Sequence, residues 1–136
     1  MIPERYEPDD PREWLNRARS NLARASARVP GVYLEDFCFD AQQAAEKAIK
    51  AVLIARRVRF PYIHDLARLI ALLEENSEQI PEQIRESTGL TPYAWLSRYP
   101  GSSEQVTEAE CSQAVTVAES VVRWAEERVA NLGRTE

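Results

Sequence analysis

Apolar residues recur every three or four positions along most of the chain, a spacing that predicts helices. The first predicted helix opens at Asp10, a suitable N-cap that is followed by Pro11 in the first helical turn. Pro30 and Gly31 end this helix. Its apolar face consists of Leu15, Ala18, Leu22, Ala25 and Val29. No segment has the alternating pattern that is typical of a strand.

The second predicted helix, from about Leu34 to Arg56 or Arg57, carries apolar residues in two stripes. The first stripe is Phe37, Ala41, Ala44, Ala48, Val52 and Ala55, and the second is Cys38, Ala45, Ile49 and Leu53. Because the stripes cover more than half of the circumference, we expect a central helix with several neighbours. The many alanines favour close helix–helix contact, and we expect some of them to serve a dimer interface.

Shorter helical segments are predicted in the middle of the chain. A third helix starts near residues 64–65, where either His64 or Asp65 can cap it. The residues that face inward are Leu66, Leu69, Ile70, Leu72 and Leu73. A short helix is predicted over 81–87, and a helical turn followed by a loop over 90–101.

The last predicted helix opens at Thr107, which has the capping-box spacing to Glu110, and runs to Gly133. The whole pattern predicts an all-α protein, an antiparallel, up-and-down bundle of four to five helices. We expect a single domain over residues 1–136, with its core at about 11–132.

Composition and charge narrow the function classes. The net charge of −5 argues against sequence-independent attraction to nucleic acid, although a local basic patch can still bind a phosphate. No apolar run reaches the length of a membrane span and the N-terminus lacks a signal-peptide core, so we expect no membrane contact and a cytoplasmic location. Cys38 and Cys111 lie among apolar helical residues, which predicts buried, reduced thiols.

His64 is the only histidine, and Arg59 lies five positions before it. An arginine can stabilise charge on phosphate oxygens and an imidazole can transfer a proton, so this pair suits phosphodiester chemistry. The alternative is that His64 bonds to the backbone at the start of the third helix. The clustered ligand patterns of metal sites and the glycine-rich phosphate loop are both missing, so we expect no metal and no cofactor.

Basic residues concentrate toward the end of the second predicted helix, and one more lies near residue 100. They are Lys47, Lys50, Arg56, Arg57, Arg59 and Arg98. Together they can hold the phosphates of a nucleotide, with Tyr62 or Tyr99 stacking on the base. The alternative is a solvated rim that offsets Glu35, Asp36 and Glu46.

Residues 33–66 resemble HEPN domains. Residues 33–53, which include the run Gln-Gln-Ala-Ala-Glu-Lys at 42–47, are similar to the second helix of that family. The run His-Asp-Leu at 64–66 is similar to the start of their third helix, and residues 93–101 look like the loop before their last one. The resemblance extends from about Pro11 to Arg128. It implies a small α-helical bundle that typically forms homodimers. It also implies a prokaryotic partner of a minimal nucleotidyltransferase, often in a toxin–antitoxin-like pair.

Many HEPN proteins are metal-independent endoribonucleases that use an Arg and a His about four to six residues apart, near the last long helix. Here Arg98 has no His at that spacing, and the pair of Arg59 and His64 lies before the third helix. The resemblance therefore favours a nucleotide- or RNA-binding partner of a minimal nucleotidyltransferase. The predicted binding residues are Lys47, Lys50, Arg59, His64, Arg98 and Tyr99.

Two alternatives stay open. One is a metal-independent endoribonuclease toxin, with His64 as general base and Arg59 as the stabiliser of the charged oxygen. The other is a non-catalytic dimerisation or interaction module.

Overall fold

The computed structural model of the chain describes residues 2–96 and 105–134. Its helices are α1 (Pro11–Ala27), α2 (Leu34–Ala55), α3 (Leu66–Glu75), α4 (Glu82–Arg85), α5 (Tyr93–Leu96) and α6 (Glu108–Arg134), with a 3₁₀ turn at Glu86–Leu90. These ranges contain no strand, and the predicted all-α class is confirmed. Among the helices described, none is long and apolar enough to cross a bilayer.

Local hydrogen bonds explain where the helices begin. Asp10 Oδ1 accepts from the backbone N–H of Arg12 at 2.9 Å, which caps α1. Asp65 Oδ1 caps α3 by accepting from the N–H of Ala67 at 3.0 Å. Side chains of the chain itself therefore satisfy backbone donors at the first turns of both helices.

The capping box predicted for α6 is formed in both directions. The N–H of Glu110 donates to Thr107 Oγ1 at 3.1 Å, and the N–H of Thr107 donates to Glu110 Oε1 at 3.0 Å. The end of α1 is set by Arg28, whose φ of 50° is left-handed and cannot continue the helix.

Helix α2 is the centre of the bundle, with its largest contacts to α1 and α6. Five of its six alanines are fully buried, and they are Ala41, Ala44, Ala45, Ala48 and Ala51. Helices of the same chain cover them, so the expectation that these alanines serve a dimer interface was wrong. The close helix–helix contact that they indicated lies within the chain.

The direction of the long helices follows from their contacts. Near the start of α2, Cys111 of α6 lies 3.9 Å from the carbonyl oxygen of Leu34, and near its end Arg56 and Arg128 reach one carboxylate. Helices α2 and α6 therefore run in the same direction. Helix α1 runs opposite to α6, because Arg28 pairs with Glu108 while Arg19 pairs with Glu126.

Residues 57–65 return along α2 and bring α3 to its side. Gln42 Nε2 lies 3.4 Å from the carbonyl oxygen of His64, although 22 residues separate them. At the far end of α3, the carbonyl of Asn76 accepts from Arg56 Nη1 at 2.7 Å. This return places His64 beside the middle of α2.

Both cysteines are buried and free, as predicted. Burial raises the pKa of Cys38 to about 12 and also raises the pKa of Cys111. Because the thiolate is the reactive form, these thiols are inert packing groups of the α2–α6 contact.

Candidate functional site

A charged pair lies inside the bundle on α2. Glu46 and Lys50 are one helical turn apart, and their side chains are only 4% and 3% exposed. Lys50 Nζ donates to Glu46 Oε2 at 2.8 Å. Buried charges are costly unless they are paired and hydrogen-bonded, so the remaining partners of this pair define a specific local structure.

The second oxygen of Glu46 is shared by two further groups. Oε1 accepts from Gln42 Nε2 at 3.0 Å and lies 2.8 Å from His64 Nδ1. Burial by itself would raise the pKa of Glu46, but the hydrogen bonds from Lys50, Gln42 and His64 outweigh it and hold this pKa below its usual value. Glu46 is therefore a carboxylate at neutral pH.

Three aromatic rings enclose the ammonium group of Lys50. Its Nζ lies 5.9 Å from the ring centroid of Trp14, 5.6 Å from that of Phe60 and 5.5 Å from that of Tyr62. Trp14 and Phe60 also meet edge to face at 6.1 Å. Cations and aromatic faces attract each other within about 6 Å, so these contacts fasten residues 57–65 to α1 and α2.

The pair of Tyr62 and His64 forms the exposed edge of this buried network, and we call it the Tyr62–His64 surface. Tyr62 is 91% exposed, and the His64 side chain is 34% exposed. Their ring centroids are 6.2 Å apart. Because Nδ1 of a neutral His64 donates to the Glu46 carboxylate, Nε2 on the opposite side of the ring is an acceptor.

A second polar chain joins α1 to another face of α2. Lys47 Nζ donates to Asn21 Oδ1 at 2.7 Å, and Asn21 Nδ2 donates to Asp40 Oδ1 at 2.9 Å. Arg24 Nη2 donates to the same Asp40 oxygen at 2.6 Å. Burial lowers the pKa of Lys47, so its charge is partly desolvated in this contact.

The fold and this polar network can be compared with known proteins. The family model of the HEPN domain matches residues 11–128. The chain belongs to the HEPN family. The resemblance noted in the sequence is thereby confirmed. Membership of this family supports one of two broad roles: a function related to nucleotides or RNA, or a function as an interaction module.

Two solved structures are similar to this HEPN domain. The crystal structure of TT1696 from Thermus thermophilus is 31% identical, with a TM-score of 0.73 over 87% of this chain and 97% of that chain. The crystal structure of ST0689, an archaeal HEPN homologue, is 24% identical, with a TM-score of 0.69 over 88% of this chain and 98% of that chain. The second likeness concerns the fold alone. The search of curated proteins found no match.

The structure brings two of the predicted binding residues of this HEPN domain together, Lys50 and His64, through their shared partner Glu46. Lys47 is separate, because it bonds to Asn21. The alternative of a solvated rim of basic residues is wrong for Lys50, because its side chain is buried and pairs with Glu46 inside the bundle.

Arg59 is exposed, and it lines a different place, an open cleft of about 1230 Å³ between α1 and the ends of α2 and α6. In the part of the chain that the structure describes, no hydrogen bond or ion pair joins Arg59 to His64. Arg98 and Tyr99 lie outside the described residues.

Sequence reasoning missed Glu46 and Gln42 as the groups that orient His64. The signal was the spacing of Gln42, Glu46 and Lys50, which are four residues apart and so share one face of the helix. The described residues contain no group of three or more His, Cys, Asp or Glu side chains suited to a metal ion.

Proposed function

We propose that this HEPN domain binds a nucleotide, or a nucleotide unit of RNA, at the Tyr62–His64 surface. We further propose that it acts as the partner of a minimal nucleotidyltransferase in a toxin–antitoxin-like pair. One observation carries the binding proposal: a buried carboxylate holds the imidazole of His64 beside the ring of Tyr62, which is exposed almost completely.

The chemistry of this surface suits a nucleotide. An exposed aromatic ring is a stacking platform for any base. Nε2 of His64 accepts a hydrogen bond when the ring is neutral and donates one to a phosphate oxygen when it is protonated. Because Glu46 already fixes the position of the imidazole, little entropy is lost when a ligand binds.

The charges around the surface favour a small ligand over a long duplex. Lys50 is neutralised by Glu46, and Lys47 is engaged by Asn21, so neither is a free cation for a phosphate backbone. Affinity for duplex nucleic acid requires many such cations. A mononucleotide or a short single-stranded segment of RNA requires few cations of this kind.

The proposals about the partner protein and the oligomeric state are supported by membership of the HEPN family. HEPN domains are commonly dimeric, and the run at residues 42–47 resembles members that accompany nucleotidyltransferases. A homodimer of this chain stays a prediction, and it would use a surface other than the buried alanines of α2. Co-purification of the tagged chain with the nucleotidyltransferase of its host tests the partnership.

Replacing Tyr62 with alanine should weaken nucleotide binding by roughly 5- to 150-fold, because base–aromatic stacking contributes about 1–3 kcal/mol. The measurement is the rise in melting temperature with increasing AMP, ATP or a short single-stranded RNA, since a ligand of the native state raises it. Tyr33→Ala is the matched control, because Tyr33 is also exposed, at 79%, but lies at the start of α2. Equal ligand response in both variants, or none in the unmodified chain, contradicts the proposal.

The endoribonuclease alternative has one observation in its favour. A carboxylate that orients a partly exposed imidazole, as Glu46 does for His64, is the arrangement of a general base. We nevertheless expect RNA to stay intact in EDTA, because Arg59 lines a cleft whose lining does not include His64. Gel analysis of RNA incubated with the unmodified chain and with the His64→Ala variant tests whether the protein cleaves RNA. Cleavage by the unmodified chain but not by the His64→Ala variant would establish the endoribonuclease alternative.

A further inference from the structure

A second cleft, of about 840 Å³, lies on a different part of the molecule from the Tyr62–His64 surface. It is formed by the end of α2, the connection between α3 and α4, and the last third of α6. Three arginines line it, and they are Arg56, Arg85 and Arg128. The carboxylates in its lining are Glu74 and Glu78, which leaves one positive charge in excess.

Glu78 holds two of the arginines side by side. Its side chain is only 4% exposed, with Oε1 at 2.8 Å from Arg56 Nε and Oε2 at 3.0 Å from Arg128 Nε. Arg56 Nη1 is fixed further by the carbonyl of Asn76 at 2.7 Å. A buried carboxylate therefore presents two guanidinium groups to the cleft in a fixed arrangement.

Of the two guanidinium groups, that of Arg128 has fewer hydrogen-bond partners. Its Nε is buried and makes no hydrogen bond, because the 3.0 Å approach to Glu78 is poorly aligned. Within the described residues its terminal amino groups make no hydrogen bond either. A guanidinium with two free amino groups is suited to bidentate contact with a planar or tetrahedral oxyanion.

The other walls of the cleft add polar groups. Ser77 lines the cleft with a φ of 70°, a left-handed conformation that is costly for a residue other than glycine. Arg85, which also lines the cleft, pairs with Glu74, and both side chains are about two-fifths exposed. Arg85 can therefore turn to a ligand without leaving a buried charge unpaired.

We propose that this cleft binds the di- or triphosphate group of a small ligand, with Arg56, Arg85 and Arg128 contacting the phosphates. An extended nucleic-acid backbone fits poorly, because Glu82 lies close enough to interact with Arg85 and Glu75 follows Glu74 on the exposed end of α3. The site is independent of the proposed function at the Tyr62–His64 surface.

Calorimetric titration of the full chain with inorganic pyrophosphate tests the proposal. We expect saturable binding of one pyrophosphate per chain, with ADP competing and adenosine failing to compete. Arg128→Gln should weaken binding at least tenfold. Arg123→Gln, which removes the same charge from an exposed position on α6, should leave the affinity within twofold.

Arg85→Gln keeps the test decisive if Arg128→Gln fails to fold, because the Arg85 side chain is partly exposed. This variant should also weaken pyrophosphate binding at least tenfold. Tyr62→Ala should leave pyrophosphate binding unchanged, which separates this site from the Tyr62–His64 surface. The proposal is overturned if the unmodified chain gives no saturable heat, or if Arg123→Gln weakens binding as much as Arg128→Gln or Arg85→Gln.

Discussion

Replacing Glu46 with alanine is expected to lower the free energy of unfolding by about 3–5 kcal/mol, the usual cost of breaking a buried ion pair from one side. The variant leaves the ammonium of Lys50 buried without its carboxylate, and it also removes the group that holds His64 Nδ1. Urea denaturation followed by circular dichroism measures the loss. A decrease of less than about 1 kcal/mol would show that the pair is more solvated than its 4% and 3% exposure indicates.

A double variant and a pH series are the controls. Glu46→Met with Lys50→Met removes both charges, and such replacements are often neutral or stabilising by about 1–4 kcal/mol. The lowered pKa of Glu46 makes its contribution present above the pKa of the unfolded chain, about 4.3, and lost as the pH falls through the lower pKa of the folded state. The stabilities of the unmodified chain and Glu46→Ala should therefore converge in acid.

The second large effect is expected in α3. Leu69→Ala should cost about 2–5 kcal/mol, because the side chain is fully buried and its removal leaves a cavity. Leu72→Ala, one helical turn further along, should cost less than half of that, because Leu72 is only partly buried. Urea denaturation of the two variants makes a matched comparison. Equal losses would mean that α3 packs in a different rotation from the one described.

The helices were predictable because their signals are local. Asp10 caps α1 as its side-chain chemistry and position indicated, and the box of Thr107 and Glu110 opens α6. The two apolar stripes predicted the central position of α2, and the structure buries the helix along both stripes. The pattern could not say whether the alanines of α2 meet this chain or a second one, because either neighbour requires the same small residues.

The candidate site was only partly predictable, because distant contacts build it. His64 could be singled out from the sequence, but its partner Glu46 lies 18 residues earlier and reaches it only because residues 57–65 return along α2. Trp14 completes the enclosure of Lys50 from α1, at a still larger separation. Helical periodicity carries no information about such contacts. The sequence therefore indicated Lys50 as a binding residue but not its burial beside Glu46.

The central claim is that a nucleotide binds at the Tyr62–His64 surface, and proton NMR of the imidazole tests it most directly. His64 is the only histidine, so its ring resonances need no assignment beyond residue type. On titration with AMP, ATP or a short RNA, we predict a saturable shift of these resonances that Tyr62→Ala weakens. Imidazole resonances that stay unchanged at saturating concentrations of every ligand would contradict the claim.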